Sequence, residues 1–401
     1  MVDILKLIED RCPDGVPYMR LDEVFDIVGG YSPSMDNEEF WTGGDVPFFR
    51  MENLNRCGCK LDSTKTDMFC TMDSVRGKPF PGMSLIVATC ATIGVHALVC
   101  EDFLANQRFS VLKPAVFVPK IAGSRTKIAG LALDMDFANY YAFKLDEWCR
   151  ANTNQGTFKT VNMTGFRAFP WPIPPLDVQR EIVAILDRFT ELEAELEAEL
   201  EDREKQYAYY REQLLTFDAS VERLTLGDLC VCLPKAILKQ TDISDDGRYP
   251  VINAGRGYQG YYSDFNNAGN AVTFSSRGEN AGCVNYHDSE FWAGGLCYPY
   301  RSKNETVCLT KFLYYSFVQQ EVWIRQTLVS DGGIPALNKS DIERIRIAVP
   351  PLDVQREILV ILDKFHGYCY DMKSGLAGEM ALRRQQYEYY RDLLLSFPEK
   401  V

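Results

Sequence analysis

The chain has 401 residues, of which 46% are hydrophobic and 25% charged, with a net charge of −13. This length calls for more than one domain, and the composition excludes collagen-like and wholly disordered chains. The net charge argues against a nonspecific DNA binder acting alone, which would be basic.

No apolar run approaches the roughly 18 residues that read as a membrane span. The first residues, MVDILKLIEDRCPDG, place acids where a secretory leader needs a basic start and a long apolar run. A cytoplasmic protein without membrane attachment is expected. Thirteen cysteines and three histidines (His96, His287, His366) show no zinc spacing; the closest cysteine pairs, Cys57/Cys59 and Cys230/Cys232, are C-x-C. Most cysteines read as small buried hydrophobes in a reducing compartment.

A short leader helix is expected near residues 3–11. Residues 18–173 then lack helical periodicity over most of their length. Short β-like runs, SLIVAT at 84–89 and VFV at 116–118, alternate with Gly, Asn, Asp and Pro turns. One helix is expected at 134–150. Residues 174–217 form a helix: Pro174–Pro175 marks its start and Asp177 lies in the favourable first turn. Ile182, Ile185, Phe189, Leu192 and Leu196 step 3, 4, 3, 4, and Leu200, Arg203, Tyr207, Tyr210, Leu214 and Phe217 continue after one four-residue stutter. This segment carries 12 acids and 5 bases, so more than half of the acidic excess lies here. Residues 218–349 resume the β-like pattern with NAVTFS at 270–275, a helix at 310–326 and IRIAVP at 345–350. A second helix is expected from 350, with a seam at Ile358, Ile361, Phe365, Tyr368, Met372, Leu376, Met380, Tyr387, Tyr390, Leu394 and Phe397, stopped by Pro398.

The layout is a duplication. PPLDVQREIVAILDRF at 174–189 recurs as PPLDVQREILVILDKF at 350–365, and REKQYAYYREQLLTF at 203–217 recurs as RRQQYEYYRDLLLSF at 383–397. The offset grows from 176 to 180, so the second copy has gained four residues, close to one helical turn. Val16, Leu21 and Val24 share their spacing with Val221, Leu226 and Leu229. The expected fold is α+β: two pseudo-repeated domains joined by two long antiparallel, coiled-coil-like helices, with pseudo-two-fold symmetry. The divisions are 1–173, 174–217, 218–349 and 350–401. The near-identity of Gln179/Gln355, Arg180/Arg356 and Glu181/Glu357 reads as two equal docking surfaces; a structural spacer or a recent duplication also accounts for it.

These blocks, with the QY-YYR-LL-F endings and the CPDGV…L-EV start, resemble the DNA-specificity subunit of type I restriction–modification enzymes over essentially the whole chain. The resemblance implies a non-catalytic subunit whose two target recognition domains each read half of a bipartite site on double-stranded DNA. It also implies that the helices set the spacer and dock two methyltransferase subunits, and that a restriction–translocation subunit joins them. A coiled-coil adaptor without sequence-specific DNA binding is the alternative.

No cofactor, metal or catalytic residue is expected. GRGYQG at 255–260 matches a dinucleotide fingerprint only formally, because a turn-like YYSDFNNAGN follows it. The chain has no phosphate-binding P-loop and no Asn/Asp-Pro-Pro-Tyr/Phe methyltransferase motif. Candidate DNA contacts are chosen by type and loop position, with Arg suited to guanine and Asn or Gln to adenine. They are Arg50, Asn53, Arg56, Lys60, Asn106, Gln107, Arg108, Asn154, Gln155 and Lys159 in the first domain. In the second they are Asn253, Arg256, Tyr258, Arg277, Asn280, Asn338 and Lys339. Each also fits an ordinary surface or capping side chain, and Asn106 and Gln107 fit buried turn-formers. Tyr209, Tyr210 and Arg211, with Tyr389, Tyr390 and Arg391, read as helix seam and partner contact in preference to base stacking.

Overall fold

The computed structural model describes residues 4–54, 58–114, 133–154, 159–330, 332–371 and 374–400. The chain forms two compact units, 1–194 with 382–401, and 195–381.

The first unit opens with the helix Ile4–Arg11 and the strand Tyr18–Arg20, which pairs antiparallel with Pro170–Pro172 at the far end of the domain. A single helical turn, Leu21–Val24, leads into a five-stranded sheet ordered Phe25–Gly29, Phe109–Pro114, Ser84–Ala88, His96–Val99, Cys59–Leu61. Only the last pairing is parallel. A three-stranded sheet, Phe69–Cys70, Val46–Phe49, Leu104–Ala105, lies beside it in sequence. Ser84–Ala88 is buried at all five positions. A strand covered on both faces carries a continuous apolar run, which is why SLIVA does not alternate.

The second unit repeats the plan. Arg223–Thr225 pairs with Arg346–Ala348, and the turn Leu226–Leu229 follows. The larger sheet has four strands, Cys230–Cys232, Cys297–Ser302, Ala271–Ser275, Val284–His287, with no counterpart of Cys59–Leu61 among the described residues. The smaller sheet is Gly260–Tyr262, Tyr249–Ile252, Trp292–Ala293, with one antiparallel and one parallel pairing as in the first unit. The expected domain helices are present as Met135–Ala151 and Thr310–Thr327. VFV at 116–118 lies outside the described residues.

The spacer helices are the shared walls of these cores. Leu176–Leu215 is continuous over 40 residues. Its most buried apolar residues are Val178, Ile182 and Leu186, which join Phe137, Leu145 and Trp171 in the first core. Ile182 belongs to the expected seam, whereas Val178 and Leu186 lie beside it, because this face packs on the domain. Farther along, at Phe189, the expected seam faces the other helix. Phe189 stacks on Tyr390 with centroids 5.5 Å apart and lies 6.4 Å from Tyr387. In the second unit Phe365 meets Tyr210 at 5.3 Å and Tyr207 at 6.3 Å. The ILD-F block of each copy thus packs on the QY-YY block of the other, and within each unit the two helical segments run antiparallel. Ile361 and Tyr368 of the expected seam are exposed.

The second helix differs from expectation. It is two helices, Leu352–Tyr370 and Leu376–Leu394, and Met372 falls outside the described residues. At the break, the Asp371 N–H donates to Gly367 O and the Gly375 N–H to Asp371 O. A Cβ on Gly375 would lie 2.6 Å from Gly367 O, so this close passage admits only glycine. The four extra residues of this copy thus coincide with an interruption between two helices and not with an uninterrupted added turn. Beyond Phe397 the chain returns to its start. The Val16 N–H donates to Pro398 O, the Lys400 N–H to Val16 O, and the Tyr18 hydroxyl to Phe397 O at 3.0 Å.

Candidate nucleic-acid and subunit interface

The glutamines of the repeated PPLDVQRE block do not form a docking surface. Gln179 and Gln355 are both 0% exposed. The Asp134 N–H donates to Gln179 Oε1 at 2.8 Å, and Gln179 Nε2 donates to Pro174 O at 2.8 Å. The Leu309 N–H donates to Gln355 Oε1 at 2.9 Å, while Gln355 Nε2 donates to Pro350 O and Val307 O at 2.8 and 2.9 Å. Each glutamine brackets the N-terminus of its domain helix to the start of its spacer helix, serving backbone groups that would otherwise be buried without partners. The next two residues behave differently. Arg180, Arg356 and Glu357 are exposed and Glu181 is half-buried. Four residues on, Val360 and Ile361 are 57% and 38% exposed beside Arg356 and Glu357. Tyr209 and Tyr389 are 59% and 64% exposed. Arg211 is turned inward, donating to Gln319 Oε1 at 3.0 Å and lying over the Tyr207 ring; Arg391 lies over Phe143. Of the Tyr-Tyr-Arg clusters, then, Tyr209, Tyr210 (45% exposed) and Tyr389 are the members turned to solvent, while Tyr390 is half-buried.

A second repeated feature is a cleft beside each domain helix. Tyr140 donates to Asp187 Oδ1 at 2.6 Å in the first, and Tyr315 to Asp363 Oδ1 at 2.6 Å in the second. Burial first, and the neighbouring carboxylate second, push both phenols well above their ordinary range. The clefts are of similar size, about 580 and 590 Å³. Lys60 enters the first through an ion pair with Asp136 at 2.7 Å; Lys311 enters the second through Asp363 at 2.7 Å.

In the first domain the loop candidates gather along one edge. The Asn106 N–H donates to Phe49 O, next to Arg50, and the Thr89 N–H to Arg108 O; the Ala91 N–H donates to Lys159 O. Arg50, Asn106 to Arg108 and Lys159 are thereby joined through neighbouring backbone. Several are already engaged. Arg50 pairs with Glu52, its N–H donates to Asn53 Oδ1 at 2.6 Å, and Asn53 Nδ2 donates to Lys65 O at 3.0 Å. Asn106 Oδ1 accepts the Arg108 N–H at 3.1 Å, a turn-forming role, whereas Gln107 is exposed and accepts from Ser32 Oγ at 2.7 Å. Arg108, Asn154 and Lys159 are exposed. Arg56 and Gln155 lie outside the described residues.

In the second domain Arg277, Asn280, Asn338 and Lys339 share a corner. The Gly278 N–H donates to Pro335 O and the Leu337 N–H to Ser276 O. Arg277 is exposed there, Asn338 Nδ2 donates to Asp341 Oδ2 at 3.0 Å, and Lys339 pairs with Glu343 at 3.5 Å. Asn280 caps its own turn, accepting the Cys283 N–H on its carbonyl. The Asn253 to Gln259 loop is held from inside. Arg256 forms an ion pair with Glu321, whose side chain is 8% exposed, and Asn285 Nδ2 donates to Gly255 O at 3.1 Å. Arg256 therefore acts as an anchor, and Tyr258, 52% exposed, is the loop's outward aromatic. Buried His287 closes the floor, stacked on Phe291 at 4.2 Å; burial lowers its pKa to about 4. Gln240 and Gln259 are exposed polar residues that sequence pattern alone did not single out; the fold brings Gln259 beside Asn253 and Gln240 beside Gln259.

Among the described residues no group of His, Cys, Asp and Glu is arranged to hold a metal, and no helix is long and apolar enough to cross a membrane. The architecture is that of a two-repeat scaffold that carries divergent loop surfaces on a common clamped frame. The chain belongs to the type I restriction modification DNA specificity domain family, whose model matches residues 13–202 and 220–379. It is 33% identical to the type I restriction enzyme EcoprrI specificity subunit of Escherichia coli, over 89% of each chain. A putative type I specificity subunit of Mycoplasma pneumoniae is 32% identical over 58% of this chain and 98% of its own, a relative little longer than one repeat. In fold, the chain matches a type I restriction–modification S subunit from M. genitalium over 96% of its length, with a TM-score of 0.56 and 18% identity. A chain solved in work on assembly and conformational transition of the type I restriction–modification system matches with a TM-score of 0.59 and 15% identity.

Proposed function

We propose that this chain is the sequence-reading, non-catalytic subunit of a type I restriction–modification assembly. Each domain, with divisions at 1–173 and 218–349, reads one half of a bipartite DNA target in the cytoplasm. Two methyltransferase subunits dock on the two spacer segments, 174–217 and 350–401, and a restriction–translocation subunit completes the nuclease. The observation that carries this reading is the contrast within the duplication. The glutamine bracket, the Tyr–Asp cleft and the aromatic cross-packing recur in both units, while the loops differ. A common frame with unlike loops fits two unlike half-sites.

Docking is assigned to Arg180, Arg356, Glu357, Tyr209 and Tyr389, the exposed part of the repeated blocks, together with half-buried Glu181. The DNA surface is assigned to Arg108, Asn154 and Lys159 in the first domain, and to Tyr258, Arg277 and Lys339 in the second. With so acidic a chain, phosphate contacts come chiefly from the partners, and the loops supply base contacts. The test is long-read mapping of adenine methylation with and without the gene, its partner subunits being expressed. Disappearance of one bipartite motif is expected; an unchanged methylome rejects the reading and leaves the adaptor alternative.

A further inference from the structure

The geometry points to Gln259 as the reader of an adenine in the half-site assigned to the second domain, with Ile237 placed on the methyl group of the paired thymine. This assignment rests on the reading under Proposed function and extends it to one base pair.

Gln259 sits in a chain of amides whose polarity is set at a backbone end. The Leu296 N–H donates to Asn253 Oδ1 at 2.8 Å, which turns Asn253 Nδ2 outward. Asn253 Nδ2 donates to Gln259 Oε1 at 3.2 Å, and Gln259 Nε2 donates to Gln240 Oε1 at 2.9 Å. Because a backbone N–H can only donate, each amide in the chain has a single consistent orientation. Gln259 is held from both sides and still retains one acceptor lone pair and one N–H. Adenine's major-groove edge presents the complementary pair, a donor at N6 and an acceptor at N7. The backbone is fixed as well, since the Gln259 N–H donates to Val251 O. Gln259 directly precedes the strand Gly260–Tyr262, an edge strand of its three-stranded sheet, which places the amide at the sheet's open edge.

Two consecutive glycines build the site. A Cβ on Gly294 would lie 2.7 Å from Asn253 Oδ1, and one on Gly295 would lie 2.7 Å from Ile237 Cγ1. Gly294 thus seats the amide and Gly295 seats Ile237. Ile237, seated on Gly295, is nonetheless 86% exposed. Both Ile237 and Gln259 line one groove of about 230 Å³. An amide and an apolar side chain presented together match an A·T pair, which offers N6/N7 on one base and a C5-methyl on the other; a G·C pair has no methyl.

The experiment uses the full chain reconstituted with its methyltransferase subunits, binding a duplex library that contains the wild-type motif. Gln259→Glu replaces the donor by an acceptor and suits cytosine N4. The expected result is a collapse, on the order of tenfold, of the preference for A·T at one position of the second half-site, with cytosine gaining there and the first half-site unaltered. Replacing that thymine by uracil, which lacks the methyl, is expected to weaken wild-type binding severalfold and to leave Ile237→Ala indifferent. Uniform weakening at every position by Gln259→Glu, or an unchanged motif, overturns the assignment. A wild-type complex with no bipartite motif overturns the underlying reading as well, so the two failures are told apart.

Discussion

A buried amide whose two ends both serve backbone groups is a bracket, and its removal is felt twice. Truncating Gln355 to alanine strips partners from the Leu309 N–H and from the carbonyls of Pro350 and Val307, and leaves a void. Each orphaned buried group costs roughly 1–3 kcal/mol, so Gln355→Ala is expected to lower stability by about 3 kcal/mol in urea titration; a loss under about 1 kcal/mol would refute the bracket. Arg356→Ala, on the exposed neighbour, is expected to change stability by less than about 0.5 kcal/mol. His287 supplies a pH prediction. Burial depresses its folded pKa from 6.5 to about 4, so its neutral form is favoured in the fold. Its contribution is present in full above pH 6.5 and is lost as the pH falls toward 4, where the unfolded chain takes up the proton first. Wild-type protein should lose about 3 kcal/mol more than His287→Asn between pH 7 and pH 4 by urea titration. At this scale the sequence was legible only in part. Recurrence of Gln179 and Gln355 marked them as constrained, but the partners at the domain helix, the Asp134 and Leu309 N–H groups, are 45 and 46 residues away, which no local pattern reveals. Arg256 resembled a base reader for the same reason: its partner, Glu321, is 65 residues distant.

Among elements, periodicity was enough to place the domain helices and the long helix Leu176–Leu215 within a residue or two. It did not disclose the break after Tyr370, because four inserted residues nearly preserve the phase of a 3.6-residue repeat. Nor did it separate the face on the domain from the face on the other helix. A two-sided helix carries two apolar stripes, and a 3–4 stepping pattern is satisfied by either. The break yields a paired prediction. Gly367 lies within Leu352–Tyr370, and a Cβ there would meet nothing within 4 Å, so Gly367→Ala is expected to stabilise the second unit by about 0.5–1 kcal/mol. Gly375→Ala would drive a Cβ against Gly367 O and the Asp371 backbone, and is expected to destabilise by about 1–3 kcal/mol. Thermal unfolding of the two variants against wild type decides this. Equal effects in the two would mean that the passage at Gly375 is not tight.

For the whole chain, the decisive quantity is the length of the continuous helix between the two domain sequences, since a bipartite target has a fixed gap. Leu176–Leu215 rises about 60 Å over its 40 residues. Its middle, ELEAELEAELED at 191–202, is the place to alter it. Glu191, Ala194, Glu195, Glu197 and Ala198 are exposed, so an insertion there disturbs neither core. Repeating Glu191–Ala194 once adds four residues, about 6 Å of rise and about 400° of rotation, which brings the following face back to within about 40° of its original direction. At about 3.4 Å per base pair, the preferred gap is expected to lengthen by one or two base pairs with both half-sites unchanged. The acids repel phosphate, so the inserted turn adds length without adding phosphate contacts, while Glu193 within it is the residue that pairs with Arg384 at 2.8 Å. Methylome sequencing of cells carrying the insertion reads the outcome directly. The same half-sites at the original gap would show that helix length does not set the spacer. Exchange of residues 222–349 for another domain of the family is the complementary experiment: it should replace one half-site and leave both the gap and the other half intact.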